Sequence, residues 1–114
     1  MVALYNFDGD SALTQSVPLD RLGLDAGSEY IAWEFWDERY VGRIRDVLDA
    51  VVPPMSARVF RLTQARDHPM VMGTDMHVLM GEVEIAAEEW DADARALTVR
   101  PHRPAGEVGS VFIW

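Results

Sequence analysis

A chain of 114 residues with 49% hydrophobic content is too apolar for a disordered segment, and its length sets the working count at one domain with a modest core. A net charge of -9 repels phosphate backbones and anionic lipid, which excludes nucleic acid and membrane surfaces as expected partners and leaves neutral sugars open. With no cysteine there is no disulfide framework, thiolate metal site or Cys nucleophile, and no apolar run approaches the roughly 18 residues of a membrane helix.

The dominant period along the chain is two. Val2 to Phe7 is a short apolar run ending at Asp8-Gly9-Asp10, a turn sequence that supplies the positive φ of a tight hairpin, and Thr14 to Leu19 is expected to return as its partner. Leu22 to Gly27 reads as a loop or a single helical turn. Glu29 to Trp36 follows as a strand, with Ile31, Trp33 and Phe35 on the buried face and Tyr30, Ala32, Glu34 and Trp36 on the other. Asp37-Glu38 turns into a strand from Arg39 to Arg45, and Asp46 to Val52 fits a helix by composition or a strand by its β-branched residues. Pro53-Pro54 cannot donate ladder hydrogen bonds, so it marks a break before the strand Ser56 to Leu62. A long strand is expected from His77 to Ala87, bent at Gly81, with Glu82 and Glu84 on its half-polar face. Trp90 to Ala94 is an acidic turn, Arg95 to Arg100 a strand with Leu97 and Val99 inward, and Pro101 to Gly109 a loop before a last strand from Ser110 to Trp114. About eight or nine short strands at this spacing predict an all-β fold, an antiparallel β-sandwich with Greek-key-like connections.

Few constellations carry chemistry. A glycosidase needs two carboxylates roughly 5 to 10 Å apart across the scissile bond. Glu82 with Glu84, and Glu34 with Asp37 or Glu38, are close enough in sequence, but in a chain with 19 acidic residues such pairs read as a solvated sheet face. His68, His77 and His102 fall at no ligand spacing, and Asp8-Gly9-Asp10 lacks the later ligands of a calcium loop, so no metal or other cofactor is expected. None of the serines sits in a nucleophile elbow. The aromatic residues offer a sharper alternative, because a sugar ring stacks its C–H face on an exposed indole or phenol ring. Trp36 and Tyr40 flank an acidic turn and Trp90 lies in another, so the three form a candidate sugar platform; core or interdomain packing of Trp36 is the competing role.

Four segments carry a resemblance: Trp33-Glu34-Phe35-Trp36, the run from Val52-Pro53-Pro54-Met55-Ser56 to Leu62, Asp67-His68-Pro69, and Gly73-Thr74-Asp75-Met76-His77. Together they resemble the C-terminal β-sandwich of alpha-galactosidase (melibiase)-type glycoside hydrolases, with Met55 standing where relatives often place His. The resemblance implies that residues 1–114 form a single C-terminal accessory domain, a fragment of a larger glycoside hydrolase, and that Asp46 to Val52 is a strand. It also implies that the chain is noncatalytic, because the catalytic aspartates of that family lie on a (β/α)8 barrel. The expected partner is that barrel of the same parent chain, with carbohydrate as the alternative ligand. Asp67, His68, Asp75 and His77 are expected to form a structural polar cluster. Met70, Val71, Met72 and Met76 are expected to form an exposed interdomain patch, with a lid folded over the sandwich end as the alternative. Met1 directly on a strand fits an excised domain, and with the parent's own N-terminus out of view the compartment stays open.

Overall fold

A computed structural model describes residues 1–114 and contains ten strands, all paired antiparallel, with one 3-10 turn at Leu19–Leu22 as its helical element. The all-β class follows from the period-two pattern. The chain divides into two compact units, Met1–Ala65 and Arg66–Trp114.

The first unit holds β1 (Val2–Asn6), β2 (Leu13–Pro18), β3 (Tyr30–Glu34), β4 (Arg39–Ile44), β5 (Val47–Val52) and β6 (Ser56–Gln64). Their pairing is nested: β3 pairs β4, β2 pairs β5 around them, and β1 pairs β6 outermost. Because β6 also pairs β3, the outer strands close into a sheet of order β1-β6-β3-β4, and β2-β5 remains a separate ribbon. Period two then sorts the side chains. Leu4, Tyr30 and Phe60 meet Leu19, Leu48 and Val52 in one core between sheet and ribbon, the two layers of a small sandwich. Each such side chain contributes roughly 1.5–3 kcal/mol by leaving water.

Two expectations for this unit need correction. No hairpin joins β1 to β2, because Asp8 Oδ1 accepts the N–H groups of Asp10 and Ser11 at 2.8 and 2.9 Å, which makes the Asp-Gly sequence a side-chain-closed turn. The buried Asn6 amide then carries the chain across to the other layer, donating to the carbonyl oxygens of Ser11, Val52 and Pro53. Nor does β3 have a solvent face: all five of its residues are buried, including Tyr30, Ala32 and Glu34. It lies between β6 and β4, and the ribbon covers the side that was expected to face water. A bulge at Val41, between the pairs Ala32–Gly42 and Trp33–Tyr40, adds twist at its far end.

The second unit holds β7 (Val71–Thr74), β8 (Ile85–Asp91), β9 (Ala96–Pro101) and β10 (Val111–Ile113). β8 and β9 form a hairpin whose turn is closed by Asp91 Oδ1 accepting the N–H groups of Asp93 and Ala94 at 2.9 and 2.8 Å. β7 pairs β10, and Met70 and Trp114 extend the ladder by exchanging both backbone hydrogen bonds. Met70, Val71 and Met72 are therefore part of a buried strand, 0%, 1% and 8% exposed, and Met76 is half-buried. The exposed interdomain patch expected at these four residues is absent. The long strand expected from His77 is also absent: turns fill the stretch up to Glu84, because Met80 at φ 51° and Gly81 at φ 114° leave extended geometry.

Trp33 is 3% exposed on the central strand. Trp33→Ala is expected to cost about 3–5 kcal/mol, read as a fall in the urea or thermal midpoint of the circular dichroism signal. A melting temperature within a degree or two of wild type would place this indole outside the load-carrying packing.

Candidate functional site

Glu34 ends β3 with its side chain 1% exposed, and a carboxylate withdrawn from water must find donors. Its Oε2 accepts the Asp37 N–H at 2.7 Å and Arg58 Nη1 at 3.5 Å, and its Oε1 accepts the Val59 N–H at 3.3 Å. The same guanidinium reaches Asp37 Oδ2 at 2.5 Å. These bonds fold the β3–β4 turn back onto β6, with Glu38 held at φ 47°. What the turn then presents is Trp36. Its ring packs edge-on against Phe35, 4.9 Å between centroids at 70°, and 60% of the residue stays exposed.

Trp36 walls a cavity of about 400 Å³ completed by Asp37, Pro53, Ser56, Ala57 and Arg58. Pro53 and Arg58 also line a second recess of about 400 Å³, with the buried Glu34 and Phe60 and the exposed Arg39, Asp49 and Val51 among its walls. One indole face thus stands beside the Arg58–Asp37 ion pair, with Arg39 and Asp49 in the adjoining recess. Chemically, such a surface suits a ring with an apolar face and hydroxyls at its edge.

The remaining residues singled out from sequence are distributed differently. Tyr40 is 42% exposed on β4 opposite Trp33 and lines neither cavity. Trp90 belongs to the second unit, half-buried, with one face stacked on the His68 ring at 5.1 Å and 4°. Of the three, Trp36 is the most exposed and walls a cavity of the first unit, while Trp90 lines a recess of about 480 Å³ with Glu89, Asp91 and Asp93 within the second unit. The polar cluster disperses as well: His68 Nδ1 bonds the Pro69 carbonyl, Asp75 Oδ1 accepts the Ser110 N–H at 2.7 Å, and His77 Nδ1 accepts the Leu79 N–H at 3.1 Å. Asp67 is exposed and joins none of them. No three His, Asp and Glu side chains gather as a metal cage.

Of the acid pairs, Glu34 is closed to solvent and held by its three donors. Glu82 and Glu84 do not share a strand face, since both lie in turns, Glu82 exposed and Glu84 1% exposed. Glu84 Oε1 accepts the Gly81 N–H at 2.7 Å and the hydroxyl of Thr74. Sequence reasoning missed Tyr5, Phe7 and Met55, which are 57%, 82% and 70% exposed beside the Trp36 cavity. The signal was present in the two-residue spacing of Tyr5 and Phe7, opposite in phase to Leu4 and Asn6.

Comparison with known proteins returns no matching family model, no similar curated protein and no similar solved structure.

Burial pushes the Glu84 carboxyl up, but the hydrogen bonds from Thr74, its own backbone and Gly81 outweigh it, leaving the pKa below the ordinary value. A depressed folded-state pKa adds stability that is complete above the unfolded value of about 4.3 and fades as pH falls through it toward the folded value. Urea midpoints of the wild type should therefore drop between about pH 5 and pH 3 more steeply than those of Glu84→Gln. Parallel pH profiles for the two proteins would remove Glu84 from the acid response.

Proposed function

We propose that the chain is a noncatalytic carbohydrate-binding accessory module, carried by an alpha-galactosidase-like glycoside hydrolase and working beside its catalytic barrel. The observation that carries this reading is Trp36, 60% exposed at the mouth of a cavity that also holds Asp37 and Arg58. An indole left in water costs solvation unless a ligand covers it, and the C–H face of a pyranose fits that role while the flanking carboxylate and guanidinium take up hydroxyls. The parent enzyme is inferred from the motif resemblance. Packing on the barrel through Met70, Val71 and Met72 drops out of this reading, because their side chains are buried.

Electrophoresis of the chain through gels cast with galactomannan, xylan, mixed-linkage β-glucan or polygalacturonate tests the reading. At least one neutral polysaccharide should retard wild type, polygalacturonate should not, and Trp36→Ala should weaken retardation about tenfold, the equivalent of about 1.4 kcal/mol. Trp90→Ala should change nothing. The same preparation should show no turnover of aryl α- or β-galactosides above buffer. Free migration through all the neutral gels would end the carbohydrate reading.

A further inference from the structure

Beside the Trp36 cavity lies a second aromatic step that the reading above leaves unused. Tyr5 and Phe7 present parallel rings, 6.0 Å between centroids and 3° between planes. β1 is the edge strand of the four-stranded sheet, so no neighbouring strand within that sheet flanks their outer side. With Met55 they wall a recess of about 290 Å³ whose base is Ser56-Ala57, and the register sets Ala57 opposite Tyr5. Ser56 and Ala57 are also the base of the Trp36 cavity. Two aromatic-walled cavities thus meet over one pair of small side chains.

The backbone favours this arrangement at some cost. Met55 holds φ 46°, a left-handed conformation disfavoured for any residue with a Cβ, and its N–H is fixed by the Asp8 carbonyl at 2.9 Å. The outcome is a large apolar side chain turned into water, 70% exposed, next to Phe7 at 82%. Single exposed apolar residues are ordinary on a protein surface; Tyr5, Phe7, Met55 and Trp36 lining adjoining cavities are not.

Charge narrows the occupant. No ionisable group other than the Tyr5 phenol lines the Tyr5–Phe7 recess, and the Trp36 cavity holds one carboxylate, Asp37, already paired with its one guanidinium, Arg58. An anionic glycan would find no free excess of cations here and would meet the field of a chain carrying -9.

We infer, resting on the carbohydrate reading of Trp36, that the ligand is an extended neutral glycan, with one sugar unit on Trp36 and a later unit of the same chain crossing Ser56-Ala57 to stack on Tyr5 and Phe7. A single sugar fills one cavity; a chain fills both, so affinity rises with chain length.

The test takes the neutral polysaccharide that most retards the wild-type chain, hydrolyses it partially and fractionates the products from one to about six units. Calorimetric titration of wild type should show affinity rising at least tenfold from the single sugar to the longest fraction. Phe7→Ala and Tyr5→Ala, both at exposed positions that leave the core intact, should flatten that rise while binding of the single sugar is unchanged. A single sugar that binds as tightly as the longest fraction, or a rise that persists in both variants, overturns the two-cavity ligand and leaves the Trp36 reading standing. If no neutral polysaccharide retards wild type, both fall together. Self-association of wild type in sedimentation, abolished by Phe7→Ala with no change in the sugar titrations, would assign the surface to a second copy of the chain and overturn the inference.

Discussion

A carboxylate taken out of water has to be compensated on the spot, and at Glu34 the compensation builds the site. The donors available at the end of β3 are the N–H of Asp37 in the following turn, the N–H of Val59 on β6 and the guanidinium of Arg58. With all three met the turn is tied to β6, and Trp36 on that turn is 60% exposed. A neutral apolar residue at this position would satisfy the sandwich equally well but would release the turn, because a carboxylate that is buried and paired buys geometry more than stability. The exposed Trp36 thus sits on a turn anchored by a buried charge two residues earlier.

Nesting explains where that site falls. The β3–β4 hairpin is local, β2 and β5 close around it and β1 and β6 close around both, so loop closure proceeds from short to long range. Every crossing between sheet and ribbon must then lie at an end of the sandwich. Two of them, Asp8 to Ser11 and Pro53 to Met55, come together at one end, tied by the Asn6 amide to the carbonyl oxygens of Ser11, Val52 and Pro53 and by the Met55 N–H to Asp8. Irregular backbone gathered at a rigid rim is the usual seat of a binding surface, since the ladder beneath holds it while the crossings vary.

The class of the fold was legible because alternation survives in most strands, whereas Val47–Val52, open between helix and strand by residue type alone, is a strand fixed by its pairing with β2. Alternation misled where burial has another cause. From His77 to Glu84 apolar and polar residues alternate as in a strand, yet Met80 and Glu84 are buried by turns that fold over them, and positive φ at Met80 and Gly81 leaves no trace in a hydrophobic pattern. For β3 the sequence shows an amphipathic face, and only the nested topology reveals that a ribbon covers its polar side. Met70 to Met72 read as exposed because methionine suits adaptable surfaces; pairing with β10, some forty residues away in the chain, is the kind of long-range contact that no local window contains. Trp36 was picked out by its place at a turn, whereas Tyr5 and Phe7 were absorbed into an apolar run.

Trp36 and the pair Tyr5 and Phe7 come to the same rim by independent routes: the first lies on a turn anchored by Glu34, the second on the edge strand β1 and the residue that follows it. Two unrelated causes rarely deliver large aromatic groups to adjoining cavities unless their exposure is tolerated for a reason, since each costs solvation and together they invite aggregation at an unpaired edge. The acidic surface offsets that hazard. A net charge of -9 works against the close approach of two copies and leaves an uncharged ligand unopposed. The same acidity works against anionic partners and sets no electrostatic barrier to a neutral one at the aromatic rim.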